Sequence, residues 1–246
     1  MKLLVVDSNP AAENDRLRPW YGASLGAGFA ADLLEIDATL EIDVTAPYDG
    51  DPAPDMHVYD GVVFTGSSVS WSTSDTRAAP LARAMEAAFN AARPVYGSCN
   101  GLQLAASVLG GTVGASPNGR EDGLAEDVTL TSAGLEHLFM ADRKPSFHVG
   151  CVHRDEVQNL PSGAVLMAGN AHSPAQAFVY ESQGIRFWGC QYHPEYSPTY
   201  LGAYLRNTNR QAAAERMTEV LSDREDLSPA IRRTELRNWL ASLTRS

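Results

Sequence analysis

One cysteine in the sequence has a setting that favours nucleophilic chemistry. Cys99 lies between Gly97 and Gly101, after a β-prone Val-Tyr pair and before an apolar run at 102–109 with helical character. Small residues on both sides permit the sharp strand-to-helix turn called a nucleophile elbow. Unpaired N–H groups and the dipole at the start of the helix favour the thiolate form of Cys99. The pattern therefore predicts a strand, a tight turn that presents the thiol, and a helix.

A nucleophilic thiol needs a base, and the sequence contains six histidines. His193 follows an apolar and aromatic run at 187–192 that predicts a strand, and Pro194 prevents this strand from continuing. Glu195, two residues after His193, is suited to accept a hydrogen bond that fixes the imidazole tautomer. Cys99, His193 and Glu195 are therefore a candidate catalytic triad.

Cys99 and His193 also have a purely structural interpretation, because a lone cysteine in a glycine-rich turn is usually a small buried residue and a lone histidine near a strand end is usually a satisfied polar group. The two motifs together resemble those of the class I glutamine amidotransferase family, whose members have a G-x-C-x-G-x-Q elbow and a later H-P-E. They occupy residues 97–103 and 193–195 here, and the resemblance extends from about residue 3 to about residue 205. This combination favours the catalytic interpretation.

The resemblance implies hydrolysis of a glutamine side-chain amide through a γ-glutamyl thioester. It also implies that the ammonia passes to a synthetase partner or is released. By this resemblance Cys99 is the nucleophile, His193 the general acid and base, and Glu195 its orienting partner. We expect a small γ-glutamyl substrate and no cofactor.

The turn after the third predicted strand is rich in glycine and serine. Parallel sheets place ligands at the carboxyl ends of their strands, where exposed N–H groups can bind an oxyanion. The family resemblance assigns this oxyanion hole to Gly66 or Ser67, with the N–H of Asn100 or Leu102 opposite. This chain has Ser67 and Ser68 where many members have Gly-Pro, so the exact N–H stays open.

Two more residues are assigned to the substrate by the same resemblance. Gln103 lies about one helical turn after the nucleophile, and the family glutamine contacts the substrate. His153, Asp155 and Val157 match an H-x-D-x-V element whose backbone helps to bind the α-amino and α-carboxylate groups. We expect His153 to line the site, although spacing alone leaves open that His153, and not His193, is the base.

Metal binding is an alternative use of some of these residues. Cys151 and His153 would point to one side of a strand, and Cys190 and His193 have the spacing of a zinc ligand pair. However, the sequence has no Cys-x-x-Cys pair, and a structural zinc would compete for the histidine that catalysis needs. We therefore predict no metal site.

The order of the predicted elements indicates an α/β fold. Apolar runs at 2–7, 41–46 and 58–64 predict buried strands, and helical patterns at 22–34 and 76–92 alternate with them. This alternation predicts a mostly parallel, flavodoxin-like sheet with helices on both faces.

The second half of the chain has a different pattern. Residues 112–157 predict a smaller β-rich part near the active site, with strands at 126–131 and 147–157. From about residue 207 to residue 246 the pattern predicts a helical C-terminal extension. We predict that residues 1–246 form a single domain.

Composition excludes several classes of partner. A formal net charge of −11 argues against nucleic acids and anionic membranes, which would need a basic surface. No run approaches the ~20 apolar residues of a membrane span, and the N-terminal run is too short for a signal peptide. The three cysteines form no evident disulfide framework, which fits a reducing cytoplasm.

Three functions follow from these observations. We favour free-standing hydrolysis of γ-glutamyl amides or peptides, for which a wider leaving-group pocket is expected around Trp71, His172 and Tyr196. Tyr196 after the H-P-E resembles the stand-alone branch of the family as much as it resembles synthetase subunits. The alternative is a glutaminase subunit that feeds ammonia to a separate synthetase, because the chain has no ATP-binding glycine-rich loop. A non-catalytic binding protein of the same fold is disfavoured, because all three triad residues are present.

Overall fold

The computed structural model describes residues 1–220 and 225–244, with the side chains of residues 218–220 excepted. Its strands are β1 (Lys2–Val6), β2 (Glu41–Thr45), β3 (Gly61–Phe64), β4 (Val95–Ser98), β5 (Thr112–Ala115), β6 (Glu121–Leu130), β7 (Ser146–His153), β8 (Asp155–Asn159), β9 (Val165–Gly169), β10 (Ala177–Ser182) and β11 (Ile185–Cys190). Its α-helices are α1 (Ala11–Tyr21), α2 (Leu25–Ile36), α3 (Ala79–Asn90), α4 (Asn100–Val108), α5 (Ser132–Glu136), α6 (Pro198–Asn207), α7 (Gln211–Val220), α8 (Pro229–Arg232) and α9 (Thr234–Leu243).

The central sheet has nine strands in the order β2-β1-β3-β4-β11-β10-β9-β6-β7. The first five are mutually parallel, and the sheet continues from β11 through antiparallel pairs. Strands β5 and β8 form a separate antiparallel pair. The α/β fold with a mostly parallel central sheet and a smaller β-rich part is confirmed.

Alternate residues of β1 enter two different hydrophobic cores. Leu3 and Val5 pack in the core that includes residues of α2 and α9, whereas Leu4 and Val6 pack in the core that includes residues of α3 and α4. The strand is therefore buried on both faces, which explains its uninterrupted apolar sequence. Helices cover both faces, as the sequence predicts.

Several element boundaries differ from the prediction. The third strand begins at Gly61 and not at residue 58, because Asp55 caps a 3₁₀ turn at Met56–Val58 by accepting a hydrogen bond from the His57 N–H. The predicted strand at 147–157 is two strands, β7 and β8. Helix α1 has no counterpart in the predicted pattern, because its sequence is mostly polar and contains Pro19.

The C-terminal part of the described chain is helical. Trp239 of α9 is fully buried, and its ring lies 5.8 Å from that of Tyr96 in β4. Residues 221–224 and 245–246 of the predicted extension lie outside the described residues. The single-domain organisation of residues 1–246 stays a prediction.

Candidate active site

The turn between β4 and α4 presents Cys99 in an unusual backbone conformation. Its φ of 48° and ψ of −97° lie in a region that non-glycine residues rarely occupy, and such conformations concentrate at functional sites. A Cβ on Gly97 would lie 2.6 Å from the carbonyl carbon of Gly101, and one on Gly101 would lie 2.6 Å from the carbonyl oxygen of Phe64. Both glycines are therefore needed for α4 to pack closely on β3 and β4, as an elbow requires.

The imidazole of His193 is held on several sides. Its Nδ1 lies 2.7 Å from Glu195 Oε1, and the Ser98 hydroxyl donates to the same carboxylate at 2.8 Å. The Tyr196 ring stacks on the imidazole, with 4.2 Å between ring centroids and 9° between planes. On Gly66, a Cβ would lie only 2.8 Å from His193 Cε1. These contacts fix both the tautomer and the orientation of His193.

The sequence predicts that His193 lies at the end of a strand, and this prediction is wrong. Strand β11 ends at Cys190, three residues earlier. The His193 N–H instead donates to the carbonyl of Gly150 in β7 at 2.8 Å. The base is therefore held between the elbow and the antiparallel part of the sheet.

Electrostatics at this site favour the imidazolium form of His193. Burial by itself would lower the pKa of His193, but the Glu195 carboxylate and the Cys99 sulfur outweigh burial and raise the pKa to about 10. His193 Nε2 has no hydrogen-bond partner in the described part of the chain. A proton on this nitrogen is therefore available for transfer.

Two glutamine side chains lie beside the sulfur. Gln191 Nε2 lies 3.3 Å from Cys99 Sγ. Gln103 Nε2 donates to the Asp155 carbonyl at 2.6 Å and to Gln191 Oε1 at 3.0 Å. Gln103 thereby orients Gln191 toward the sulfur. Its own contact with substrate stays a prediction.

The predicted oxyanion turn after β3 is anchored by Asn9. The Ser68 N–H donates to Asn9 Oδ1 at 2.8 Å, and the Ser67 hydroxyl donates to the Ser8 carbonyl at 2.7 Å. Asn9 is fully buried. Because the N–H of Ser68 is already bonded, the turn leaves Gly66 and Ser67 as candidate donors.

The opposite side of this predicted hole is the first turn of α4. The N–H groups of Asn100 and Leu102 lie in this turn, where N–H groups have no intrahelical acceptor. The Leu102 side chain is buried in the core with α3, so only its backbone is suited to a role in the site. Asn100 lines the cavity, and its buried Oδ1 has no hydrogen-bond partner among the described residues.

The second candidate base, His153, is fully engaged by protein groups. Its Nε2 lies 2.8 Å from Glu121 Oε2, and its Nδ1 lies 3.1 Å from the Asp155 carbonyl oxygen. Burial would raise the pKa of Glu121, but hydrogen bonds from His153, Asn170 and Gln176 hold it below its usual value. Since both ring nitrogens of His153 face acceptors, the geometry favours His193 as the base.

A cavity of about 410 Å³ connects the predicted residues. Cys99 and His193 line it together with Ser67, Asn100, Gln103 and His153. Trp71 and Tyr196 line the same cavity, as expected for a leaving-group pocket, whereas His172 lines a neighbouring cavity. Cys99, His193 and four of the predicted substrate residues therefore border one space, whereas Glu195, Gly66 and Leu102 do not line it.

The described residues contain no group of three or more His, Cys, Asp or Glu side chains arranged to hold a metal ion. Within the same residues, no helix is both long and apolar enough to cross a membrane. All three cysteines are buried and free.

Sequence reasoning does not identify several residues that shape the site. Ser98 and Gln191 lie within or next to the two motifs, so proximity to Cys99 and His193 is a usable signal for both. Asn9 has no such signal, because its contact with the oxyanion turn joins residues far apart in sequence. Glu121 also has no such signal, because its partner His153 lies on another strand.

The family model for Glutamine amidotransferase class-I matches residues 27–211. The chain belongs to the class I glutamine amidotransferase family. A γ-glutamyl-L-1-hydroxyisopropylamide hydrolase from a Pseudomonas species is 30% identical over 238 residues, which cover 94% of this chain and 80% of that protein. The glutamine-hydrolysing GMP synthase of an Enterobacter species (strain 638) is 36% identical over 146 residues, or 58% of this chain.

The share of each relative's length that the match covers differs between these two proteins. The match covers only 26% of the GMP synthase, against 80% of the hydrolase. Among solved structures, a glutamine amidotransferase from Thermotoga maritima has a TM-score of 0.77 at 19% identity, with 100% of this chain and 99% of that chain covered. This structural likeness establishes the shared fold.

Proposed function

We propose that this class I amidotransferase chain is a free-standing hydrolase of γ-glutamyl amides that uses Cys99 as its nucleophile. The observation that carries the proposal is the buried line of hydrogen bonds from Ser98 to Glu195 to His193, together with the cavity that both His193 and Cys99 line. The similarity to a γ-glutamyl amide hydrolase over most of both chains supports the same reaction.

In the first half of the reaction, the Cys99 thiolate attacks the γ-carbonyl carbon of the substrate. The N–H of Gly66 or Ser67, with an N–H of Asn100 or Leu102 opposite, stabilises the oxyanion. The His193 imidazolium donates its Nε2 proton to the leaving nitrogen as the C–N bond breaks. The products of this step are a free amine, or ammonia, and a γ-glutamyl thioester.

In the second half, a water molecule attacks the thioester carbon. Neutral His193 accepts a proton from this water, and the C–S bond breaks to regenerate the Cys99 thiolate. The new γ-carboxylic acid of glutamate loses its proton to solvent. The thiolate and imidazolium are thereby restored for the next turnover.

The alternative is a glutaminase subunit that delivers ammonia to a synthetase on another chain. The similarity to about a quarter of the length of a GMP synthase favours this alternative, because such a partial match is expected of one component of a larger assembly. Location in the cytoplasm and the absence of nucleic-acid and membrane partners stay predictions.

The proposal is tested by measuring glutamate release from L-glutamine and from a panel of N-substituted γ-glutamyl amides and dipeptides. The Cys99→Ala variant should lose all turnover, whereas Cys151→Ala, a matched change of another buried cysteine, should retain it. Faster Cys99-dependent turnover of a substituted amide than of glutamine supports the free-standing hydrolase. Turnover by Cys99→Ala would overturn the mechanism, and no turnover by the native chain would favour the synthetase subunit.

A further inference from the structure

The cavity wall is rich in arginine, although the formal net charge of the chain is −11. Two of these arginines are committed to nearby groups. Arg154 donates through Nε and Nη2 to the Asp155 carboxylate and through Nη1 to the Ser70 carbonyl. Arg16 is more than half exposed and pairs with Glu13 at 2.6 Å. The arginines that line the cavity are Arg16, Arg120, Arg154 and Arg210.

The other two arginines share a single acceptor. Arg120 Nε lies 3.1 Å and Arg210 Nε lies 3.4 Å from the same atom, Asp122 Oδ2. Two positive charges therefore face one negative charge. Arg210 Nη1 is buried and has no hydrogen-bond partner within the described residues, and the same is true of Asp122 Oδ1. A buried donor without an acceptor is costly, so this group is suited to receive an anion.

The position of Arg210 is fixed by the connection between α6 and α7. Its backbone N–H donates to the Leu205 carbonyl at 2.8 Å, and its guanidinium lies 5.3 Å from the centre of the Tyr204 ring. Tyr204 and Arg210 line the cavity that also contains Cys99 and His193. The guanidinium is therefore held in place before any substrate binds, which reduces the entropy that binding must cost.

We infer that Arg120 and Arg210 form a subsite for a carboxylate carried by the leaving amine of the substrate. This inference rests on the proposed hydrolysis of γ-glutamyl amides and names their class, γ-glutamyl conjugates of amino acids. Arginine suits this role because its planar guanidinium matches the geometry of a carboxylate. A neutral leaving amine would leave the second positive charge of the pair uncompensated.

The test compares two substrates that differ in charge and little in size, γ-glutamylglycine and γ-glutamylpropylamide. We expect the native chain to prefer γ-glutamylglycine in kcat/KM. In Arg210→Gln, the ratio of the two kcat/KM values should fall about 10- to 100-fold, as expected for a lost charge-assisted hydrogen bond. The control Arg206→Gln changes another arginine of the same region that does not line the cavity, and it should leave the ratio unchanged.

Arg120→Gln provides a second variant, because the Arg210 side chain packs on an aromatic ring and its loss can disturb folding. The inference is overturned if the native chain prefers the neutral amide. It is also overturned if both substrates lose equally in Arg210→Gln and Arg120→Gln, since the guanidinium groups would then bind the glutamyl half. If neither substrate nor glutamine is hydrolysed in a Cys99-dependent manner, the proposed function fails, and this inference fails with it.

Discussion

The two halves of the proposed triad are held in place by different kinds of interaction. Cys99 is positioned by its own strand, turn and helix, with Gly97 and Gly101 permitting the close approach of backbone to backbone. His193 and Glu195 follow a strand that has already ended, so no local element positions them. The nucleophile depends on local structure, whereas the base depends on contacts with distant parts of the chain.

The distant contacts are made by the residues directly before and after His193. The Tyr192 hydroxyl donates to Glu235 Oε1 at 2.7 Å, and Glu235 also pairs with Arg143 at 2.7 Å. On the other side, Arg232 Nη1 donates to the Pro194 carbonyl oxygen. Glu235 and Arg232 belong to the C-terminal helices α9 and α8. These helices therefore brace the H-P-E segment from the face opposite α3 and α4.

The buried ion pair shows why this arrangement holds a fixed geometry. Burial alone would lower the pKa of Arg143, but the Glu235 carboxylate outweighs burial and raises this pKa above its usual value. Both side chains are almost completely buried. A buried pair adds little net stability over apolar residues, yet removal of one partner is costly. We therefore assign the pair to positioning Tyr192 and the residues that follow it.

The largest expected effect comes from Glu195→Gln. This variant separates the two halves of the triad, because it changes the surroundings of the base and leaves the elbow intact. Burial lowers the pKa of His193, and without the opposing Glu195 carboxylate this pKa falls below its native value of about 10. The variant then holds less of the imidazolium that donates the proton and loses the group that orients the ring, so kcat should fall about 10²- to 10⁴-fold. Titration of His193 by NMR, together with steady-state kinetics, checks this prediction.

The sign of the pH effect follows from the same shift. The protonated His193 is stabilised in the folded state, so its contribution to stability is complete below pH 6.5 and is lost as the pH rises through about 10. Native activity should fall over the upper part of this range as the proton donor is lost. A His193 titration that is the same in Glu195→Gln and in the native chain would contradict the assigned role of Glu195.

The second prediction tests whether the position of the nucleophile depends on the local backbone contacts of the elbow. In Gly97→Ala, the new Cβ would lie 2.6 Å from the backbone of Gly101, so α4 must shift. A displacement of the nucleophile by about 1 Å is expected to lower kcat/KM about 10²-fold. The matched control is Gly202→Ala in α6, where the Cβ meets only the end of the Arg206 side chain at 3.5 Å. Comparable losses in both variants would contradict a specific role for Gly97.

The third prediction concerns the brace behind the base. Glu235→Gln leaves Arg143 buried without its charged partner, which should lower the free energy of unfolding by about 3–5 kcal/mol. We also expect kcat to fall about tenfold with little change in KM, because Tyr192 and the segment after it lose a fixed contact.

Chemical denaturation and steady-state kinetics measure these two effects of Glu235→Gln separately. The control Glu225→Gln removes an exposed carboxylate that pairs with Lys144 at 3.1 Å, and such pairs contribute at most about 1 kcal/mol. If Glu235→Gln lost stability without any change in kcat, the brace would be structural only.

The smallest expected effect is that of Ser98→Ala. Ser98 connects the two halves of the triad. The Ser98 hydroxyl donates to Glu195 from the strand that precedes the elbow. Its loss removes one hydrogen bond from a carboxylate that still binds His193, so kcat/KM should fall by about 0.5–1 kcal/mol of transition-state stabilisation, or roughly two- to fivefold. Ser107→Ala, which removes a hydroxyl bonded to Thr73, is the control. Equal effects in both variants would remove Ser98 from the site.

Local patterns of the sequence account for the parts of the fold that were predicted. The continuous apolar run of β1 indicated a strand buried on both faces, and the glycines around Cys99 indicated the elbow. The polar sequence of α1 carried no comparable pattern, since only Asn14 and Leu17 are buried in it. This helix was therefore missed, together with the residues that it contributes to the cavity.

The sequence by itself determined the family and the class of fold, and it predicted the nucleophile with its H-P-E partner segment. These features depend on residue types and spacings within short stretches of chain. Only the tertiary structure distinguishes the two candidate histidines and favours His193 as the base, because Glu121 binds His153 from another strand. It also decided that Glu235 and Arg232 brace the base and that Arg120 and Arg210 share Asp122. Such pairings join distant residues, and no periodicity along the chain encodes them.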